Sequence, residues 1–247
     1  MLKAVIFDKD GVLLDLEATW LNSAIAMTHF VASLGNARHP ASAFQNIIGI
    51  DEASRSIDPD GLFASGTSKG QIEAFCAFEP ELAPQLTEDA ETRKTLRTIF
   101  LDERQSTLKQ HGTVPNGDVL TPLTALKAAG YRLAVLTNDS EASAIQGCQD
   151  IGIFEMMDAI IGFDSGFGHK PEPHGFLEIC RRLEISSQDA VMVGDTAADR
   201  DVAIAAGAGH FIGISAHHTA PVALQDCEYL LSDLSRLPDI MTAINTP

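Results

Sequence analysis

The sequence is short of positive charge. Its 247 residues contain 17 Lys and Arg against 34 Asp and Glu, which gives a formal net charge of −17. Non-specific binding of DNA or RNA depends on clustered cations that displace counterions, so we expect no nucleic-acid partner. Docking on anionic membranes is disfavoured for the same reason. An acidic small molecule can still bind, provided that a metal ion or a few placed cations hold it.

Long apolar runs and paired cysteines are absent as well. No stretch approaches the roughly 20 apolar residues that a membrane-spanning helix needs, so we expect no membrane association. Residues 1–7 meet Asp8 too early to hold the apolar core of a signal peptide, and we therefore expect a cytoplasmic protein. The four cysteines stand singly without a CxxC pair, which favours buried reduced thiols over a disulfide framework or a zinc site.

What the sequence does contain is an alternation of short apolar runs and helical patterns. The runs are Lys3–Phe7, Arg132–Leu136, Ala159–Ile161, Ala190–Val193 and Phe211–Ile214, with a weaker one at Glu228–Leu231. The helical patterns are Asp118–Ala129, Ser140–Gln149, Glu172–Leu183 and Asp199–Ala206. Apolar strands that alternate with helices predict an α/β fold, a Rossmann-like parallel sheet with helices on both faces. Its site should lie beyond the carboxyl ends of the strands.

One long segment departs from this alternation. It shows helical patterns only, at Glu17–Leu34, Pro40–Ile48, Ser68–Phe78 and Glu88–His111. We therefore predict a Rossmann-like catalytic core made of residues 1–15 and 116–247, with an all-helical cap domain at residues 16–115 inserted after the first strand. Because the insertion leaves the core at the tip of that strand, we expect it to lie over the active end of the sheet.

Two aspartates follow the first strand. Asp8 and Asp10 are two residues apart, so in extended backbone they point to one side and Lys9 to the other. Carboxylates that converge in this way repel each other unless a cation or a proton lies between them. The alternative is a solvated turn, because Asp and Gly are common turn residues.

The ends of the second and third strands carry residues suited to an anion. Thr137 and Asn138 stand where a strand leads into a helix, and a hydroxyl with backbone N–H groups there suits an anionic oxygen. A plain helix cap has the same signature. Lys170 is followed by Pro171, and a second proline at 173 fixes the backbone further, so the lysine is held in place rather than mobile.

The fourth strand ends at a second acidic pair. Asp195 stands at its tip, and Asp199 falls in the first turn of the next helix, where it could serve the helix dipole alone. Asp195 together with Asp8 and Asp10 makes an oxygen-rich set suited to Mg²⁺.

These four motifs, at the ends of different strands and in this order, resemble the haloacid dehalogenase superfamily of aspartate-nucleophile phosphohydrolases. The resemblance is to the branch with a helical cap after the first motif, which includes phosphoglycolate phosphatase and β-phosphoglucomutase. It covers the predicted core, whereas in the insertion it extends only to helical character and position. It implies a Mg²⁺-dependent, phosphoglycolate phosphatase-like enzyme that hydrolyses a small phosphorylated metabolite, a phosphate monoester, through an aspartyl-phosphate.

The resemblance also implies catalytic roles. Asp8 would be the nucleophile, and Asp10 would protonate the leaving alcohol and then activate the hydrolytic water. Thr137 and Asn138 would bind the phosphoryl oxygens. Lys170 would neutralise the nucleophile and the transferring group.

The same resemblance implies a metal site. Mg²⁺ would be held by the carboxylates of Asp8 and Asp195 and by the backbone carbonyl of Asp10, with Asp199 supporting that set. At the position of Lys9 many members of the family have an apolar residue. We expect the Lys9 side chain to point away from the metal, to pair with an acidic neighbour and to have no catalytic role.

Other features have less specific interpretations. Residues 217–218 with His210 are interpreted as a surface loop rather than a metal site. The loop 64–70 of the insertion is either a specificity loop or a plain helix cap. Arg55 and Lys69 are the cations of the insertion to be tested for contacts with a second anionic group of the substrate.

Two rival functions stay open from the sequence. A β-phosphoglucomutase-like phosphomutase would use a sugar-phosphate hydroxyl in place of water. A non-catalytic binding module is disfavoured, because proteins of that kind usually lose a nucleophile or a metal ligand, and here every motif residue is present. The sequence determines neither the ester nor the choice between a monomer and a homodimer.

Overall fold

The computed structural model describes residues 1–215 and 221–246. The chain forms two compact units, which we call the core unit (Met1–Asp15 with Thr113–Pro247) and the inserted unit (Leu16–Gly112). The core therefore resumes three residues before the predicted position 116, because Val114 already accepts a hydrogen bond from the backbone N–H of Asp15, at 2.9 Å. The histidine pair at 217–218 lies outside the described residues.

The strands follow the predicted runs closely in the core unit. They are β1 (Ala4–Phe7), β2 (Ile50–Asp51), β3 (Ser56–Ile57), β4 (Arg132–Leu136), β5 (Ala159–Ile161), β6 (Ala190–Gly194), β7 (His210–Ile214) and β8 (Tyr229–Leu231). Apart from β2 and β3, all of them form one six-stranded parallel sheet in the order β5-β4-β1-β6-β7-β8. The predicted parallel α/β sheet is confirmed.

The helices complete the two units. They are α1 (Leu16–Ser33), α2 (Ala41–Ile48), α3 (Leu62–Ser65), α4 (Ser68–Phe78), α5 (Ala90–His111), α6 (Leu120–Ala128), α7 (Glu141–Asp150), α8 (His174–Arg182), α9 (Ala197–Ala206) and α10 (Leu237–Asn245). Short 3-10 turns and one π-helical turn link several of them. Within the described ranges, no helix has both the length and the apolar character that crossing a membrane would require.

The sheet is buried on both faces because successive side chains of each strand point to opposite sides. In β1, Val5 and Phe7 belong to a cluster with residues of α6, α7 and α10. Ala4 and Ile6 belong to a second cluster with residues of α8 and α9. All four side chains are fully buried, which explains why the central strands are continuous apolar runs rather than alternating patterns.

The inserted unit is not entirely helical, and the all-helical prediction is wrong in this respect. Its helices share one apolar cluster that includes Phe44, Ile48 and Phe75. Strands β2 and β3 form an antiparallel hairpin in which the Asp51 carboxylate accepts hydrogen bonds from the backbone of the turn. Each strand has only two residues, so no period-two pattern could develop in the sequence.

Candidate active site

Three neighbouring strands bring their motifs to one edge of the sheet. Phe7 of β1 is in register with Val135 of β4 and with Val193 of β6. Asp8 therefore lies one residue beyond the paired ends, beside the segments that carry Thr137 and Asp195. The parallel arrangement makes all three strands end at the same edge, as expected for a site in an open α/β sheet.

Asp8 and Lys170 form a buried ion pair at this edge. The Lys170 Nζ lies 2.8 Å from Asp8 Oδ1 and 2.6 Å from Asp199 Oδ1. Burial favours the neutral form of the lysine, but the carboxylates of Asp199 and Asp8 outweigh it and raise the pKa of Lys170. The lysine is therefore a fixed cation within contact of the predicted nucleophile.

Asn138 holds the backbone of Lys170. The Lys170 N–H donates to Asn138 Oδ1 at 2.8 Å, and Asn138 Nδ2 donates back to the Lys170 carbonyl at 3.1 Å. Both ends of the amide are used in this exchange. The phosphate contact of Asn138 stays a prediction, and its side chain has in addition a contact with the Lys170 backbone that the sequence did not indicate.

The hydroxyl of Thr137 is oriented by the next turn. Its Oγ1 accepts a hydrogen bond from the backbone N–H of Asp139 at 3.1 Å, and the side chain is buried. Because the oxygen acts as acceptor there, its own hydrogen is left to donate to an anionic oxygen. This geometry is compatible with the phosphate contact predicted for Thr137.

An acidic cluster lies beside the ion pair. Oxygen atoms of Asp8, Asp195 and Asp199 all lie within 4.8 Å of one another. Asp199 is fully buried, and its Oδ2 accepts hydrogen bonds from the backbone N–H and the hydroxyl of Thr196, while its Oδ1 contacts Lys170. Asp199 therefore supports the cluster through the lysine and the start of α9.

Asp195 is the member of the cluster that is suited to bind a cation directly. Its Oδ1 is buried and has no hydrogen-bond partner among the described residues. Desolvation, followed by the charges of Asp8 and Asp199, raises the pKa of Asp195 well above its usual value. Three carboxylates lie together here, and the Lys170 ammonium contacts those of Asp8 and Asp199. A divalent cation with oxygen ligands therefore fits the charge of the cluster and the Asp195 Oδ1, which has no partner in the described part of the chain.

Gly11 makes room for this carboxylate. A Cβ at position 11 would lie 1.9 Å from Asp195 Oδ2, and the residue has a φ of +78°, which favours glycine. The backbone of the loop after β1 therefore packs directly against Asp195.

The nucleophile candidate has a perturbed acidity. Burial raises the pKa of Asp8 to about 7 against the opposing effect of Lys170, with a smaller upward contribution from Asp199. A cation at Asp195 would act in the same direction as Lys170 and favour the carboxylate that a nucleophile requires.

The carboxylate of Asp10 has a different partner from that of Asp8. Its Oδ2 lies 2.8 Å from the Nζ of Lys9, which also lies 2.8 Å from Asp139 Oδ2. The Lys9 side chain is completely buried. The expectation that Lys9 pairs with an acidic neighbour is confirmed, and its partners are the carboxylates of Asp10 and Asp139.

The remaining candidates have structural contacts. In the inserted unit, Arg55 donates to Asn22 Oδ1 at 2.8 Å, and Lys69 is 84% exposed with Glu73 at 3.6 Å. The Thr67 hydroxyl caps α4, so the loop at 64–70 has the helix-cap geometry that was one of its two interpretations.

Comparison with known proteins identifies the family. The family model for haloacid dehalogenase-like hydrolases matches residues 2–207 of the chain. The chain belongs to this family. It is 30% identical over 213 residues to the phosphoglycolate phosphatase of Nitrosospira multiformis, a match that covers 85% of this chain and 82% of that protein. The chain is accordingly an enzyme, a phosphoric monoester hydrolase.

Solved structures with the same fold are more distant in sequence. A predicted phosphoglycolate phosphatase from Haemophilus somnus aligns with a TM-score of 0.72 and 19% identity, over 97% of this chain and 98% of that one. A β-phosphoglucomutase from Clostridium difficile aligns with a TM-score of 0.70 and 16% identity, and the match covers 99% of this chain and 98% of that one. At this identity the likeness concerns the fold alone.

Proposed function

We propose that this hydrolase is a Mg²⁺-dependent phosphatase that cleaves a small phosphate monoester through an aspartyl-phosphate on Asp8. The observation that carries the proposal is the buried Asp8–Lys170 pair beside Asp195 Oδ1, a buried oxygen that accepts no hydrogen bond from any residue the structure describes. A carboxylate that approaches a phosphate dianion meets Coulombic repulsion, and positive charge at this point offsets it.

The contacts of Asp8 favour one of its oxygens as the nucleophile. Oδ1 accepts from the backbone N–H of Lys9 at 2.6 Å and contacts Lys170 Nζ at 2.8 Å. These contacts fix the carboxylate plane, so we assign the attack on phosphorus to Oδ2. The P–O bond to the leaving alcohol breaks as the new bond to Oδ2 forms, and fixed alignment of this kind is the main contribution a protein makes to phosphoryl transfer.

The other residues stabilise charge and move protons. Thr137 donates its hydroxyl hydrogen to a phosphoryl oxygen, and Lys170 neutralises the transferring group. Asp10 gives a proton to the leaving alkoxide in the first half-reaction and takes one from water in the second. In the second step the water oxygen attacks phosphorus, which frees the Asp8 carboxylate and inorganic phosphate.

The metal ion would be held by the carboxylates of Asp8 and Asp195 and by the backbone carbonyl of Asp10. When bound, Mg²⁺ supplies charge neutralisation for the phosphoryl group and orients it towards the nucleophile. Asp199 holds Lys170 beside this set.

The substrate we propose is a small ester such as 2-phosphoglycolate. The support is the kinship with phosphatases of that name, which are 30% and 31% identical over more than three quarters of the chain. The −17 net charge supports a placed cation rather than a broad basic surface as the means of binding such an anion.

The test is phosphate release from a panel of small phosphate esters, with Mg²⁺ and with EDTA, for the wild type and for Asp8→Asn. We expect metal-dependent release that falls by about 10³-fold or more in the variant, because the nucleophile is lost. Release that survives the substitution would refute the covalent route. Accumulation of an isomeric sugar phosphate without free phosphate would indicate a phosphomutase instead.

A further inference from the structure

Lys9 is a buried cation that the mechanism above does not use. Its side chain has no exposed surface, yet its Nζ contacts carboxylates of two different motif loops, those of Asp10 and Asp139, both at 2.8 Å. Removing an ammonium group from water is costly, so a buried lysine is retained only where its contacts compensate for that cost.

Both ends of this bridge are rigidly held. The carbonyl of Lys9 accepts hydrogen bonds from the backbone N–H groups of Leu13 and Leu14, both at 2.9 Å, which closes the loop after β1. On the other side, Asp139 Oδ1 accepts from the backbone N–H of Ser140 at 2.7 Å, at the start of α7. The Lys9 ammonium therefore has a fixed position, and the Asp10 carboxylate is held by its contact with this group.

The contact with Lys9 matters because a proton donor must lie at a defined position relative to the leaving oxygen. Asp10 is partly exposed, with 18% of its side-chain surface accessible, so its charged contacts contribute to its orientation. Displacements of about 1 Å in reacting groups reduce rates by as much as 10²-fold. A charge-assisted contact to a buried, anchored lysine restricts the carboxylate to one orientation.

We propose that Lys9 is a positioning residue for proton transfer: anchored on Asp139, it holds the Asp10 carboxyl group where the leaving alcohol receives its proton. This inference rests on the proposed function, because it takes Asp10 as the proton donor. In the first half-reaction the Asp8 oxygen bonds to phosphorus, the ester P–O bond breaks, and the proton passes from Asp10 to the departing oxygen.

Leaving-group chemistry provides a readout that a purely structural role would not change. An alkyl alcohol leaves poorly unless it is protonated, whereas 4-nitrophenolate is stable as an anion and leaves without a proton. The ratio kcat/KM reports the steps up to formation of the phosphoenzyme, so the later attack of water does not obscure the comparison.

The experiment compares wild type, Lys9→Met and Asp139→Asn with Mg²⁺ present. Its two substrates are 4-nitrophenyl phosphate and the alkyl phosphate that the wild type hydrolyses fastest in the panel above. We expect kcat/KM for the alkyl ester to fall about 10- to 100-fold in Lys9→Met, with less than about a threefold change for the nitrophenyl ester. Asp139→Asn leaves the lysine in place without its anchor, and we expect the same selectivity at smaller amplitude.

Lys127→Met is the matched control. Lys127 forms an ion pair with Asp158 at 2.8 Å in the same unit, away from the motif loops, so its loss should leave both substrates unaffected. Circular dichroism and thermal melting establish that each variant is folded. Where Lys9→Met does not fold, Asp139→Asn decides the question, because it keeps the lysine and the side-chain volume.

The variant Asp10→Asn distinguishes a failure of the role proposed for Lys9 from a failure of the proposed function. Selective loss on the alkyl ester in Asp10→Asn, but equal loss on both esters in Lys9→Met and Asp139→Asn, would overturn the role of Lys9 and leave the proposed function intact. Equal loss on both esters in Asp10→Asn itself would overturn the assignment of Asp10 as proton donor and, with it, the inference about Lys9.

Discussion

The contact between Gly11 and Asp195 allows a sharp test of the cation site. In Gly11→Ala, the new Cβ would lie 1.9 Å from Asp195 Oδ2 and 2.5 Å from its Cγ, both far inside van der Waals contact. The carboxylate must move, and with it the buried Oδ1 that we assign to the metal. We therefore expect Gly11→Ala to weaken Mg²⁺ binding.

The expected magnitude has two parts. A left-handed backbone conformation costs an alanine about 1–2 kcal/mol, and each kcal/mol lowers the melting temperature of a chain of this size by about 2–4 °C. Disturbing a residue that orients a metal ligand typically weakens metal binding by about 10- to 100-fold. The backbone strain lowers stability, whereas the collision with Asp195 lowers stability further and also weakens metal binding.

Gly117→Ala separates these two parts. Gly117 has a φ of +72°, close to the +78° of Gly11, but no atom of residues 1–215 or 221–246 lies within 4 Å of the place where its Cβ would be. Both variants should therefore lose the stability that backbone strain costs, with a further loss in Gly11→Ala from the collision. Only Gly11→Ala should show weaker Mg²⁺ binding by isothermal titration calorimetry. An unchanged Mg²⁺ affinity in Gly11→Ala, or an equal reduction in both variants, would refute the assignment of Asp195 as a ligand.

Three further predictions concern other parts of the core unit. Burial acts to raise the pKa of Asp158, but the hydrogen bonds that it accepts from a lysine, an arginine and a backbone N–H lower this pKa overall. The ionised Asp158 therefore stabilises the fold fully above its unfolded-state pKa of about 3.9. That stabilisation is lost as the pH falls through the pKa of the folded state. Denaturant titration of Asp158→Asn should then show a loss of about 1–2 kcal/mol at pH 7 that shrinks in acid, and a loss independent of pH would contradict this. Asn138→Ala removes both hydrogen bonds to the backbone of Lys170, and we expect a lower kcat with a folded core, whereas unchanged turnover would show that Lys170 does not need this support. Burial raises the pKa of Cys148 and of Cys180 to about 11, so neither should react with a thiol reagent in the native protein at pH 8, and rapid labelling of either would contradict their burial.

The sheet was predictable because its strands are buried on both sides. A strand covered on both faces is apolar at its buried positions. The runs Arg132–Leu136, in which only the first residue is exposed, and Ala159–Ile161 match the observed strands residue for residue. The hairpin of β2 and β3 carries no comparable signal, since a two-residue strand can satisfy its backbone without any side-chain pattern.

The contacts of the site were predictable only in part. Strand ends bring Asp8, Thr137 and Asp195 to one edge, and that follows from parallel topology alone. The contact between Lys9 and Asp139 joins residues 130 positions apart, and the exchange between Asn138 and Lys170 depends on where a long loop returns. Such pairings depend on register and loop path, which local propensity does not encode.

Asp199 accepts hydrogen bonds from Thr196 and pairs with Lys170, and these two contacts limit how this enzyme could change under selection for heat tolerance. Replacing a catalytic carboxylate often stabilises a protein, because crowded like charges are relieved at the expense of activity. Asp195 has a raised pKa and an oxygen without a hydrogen-bond partner in the described ranges, so a substitution there could increase stability at the expense of activity. Asp199 is not such a site, because the same side chain begins α9 and neutralises Lys170, so its loss would harm the fold and the chemistry together. Thermostable variants of this chain should therefore retain Asp199 even where they have lost turnover.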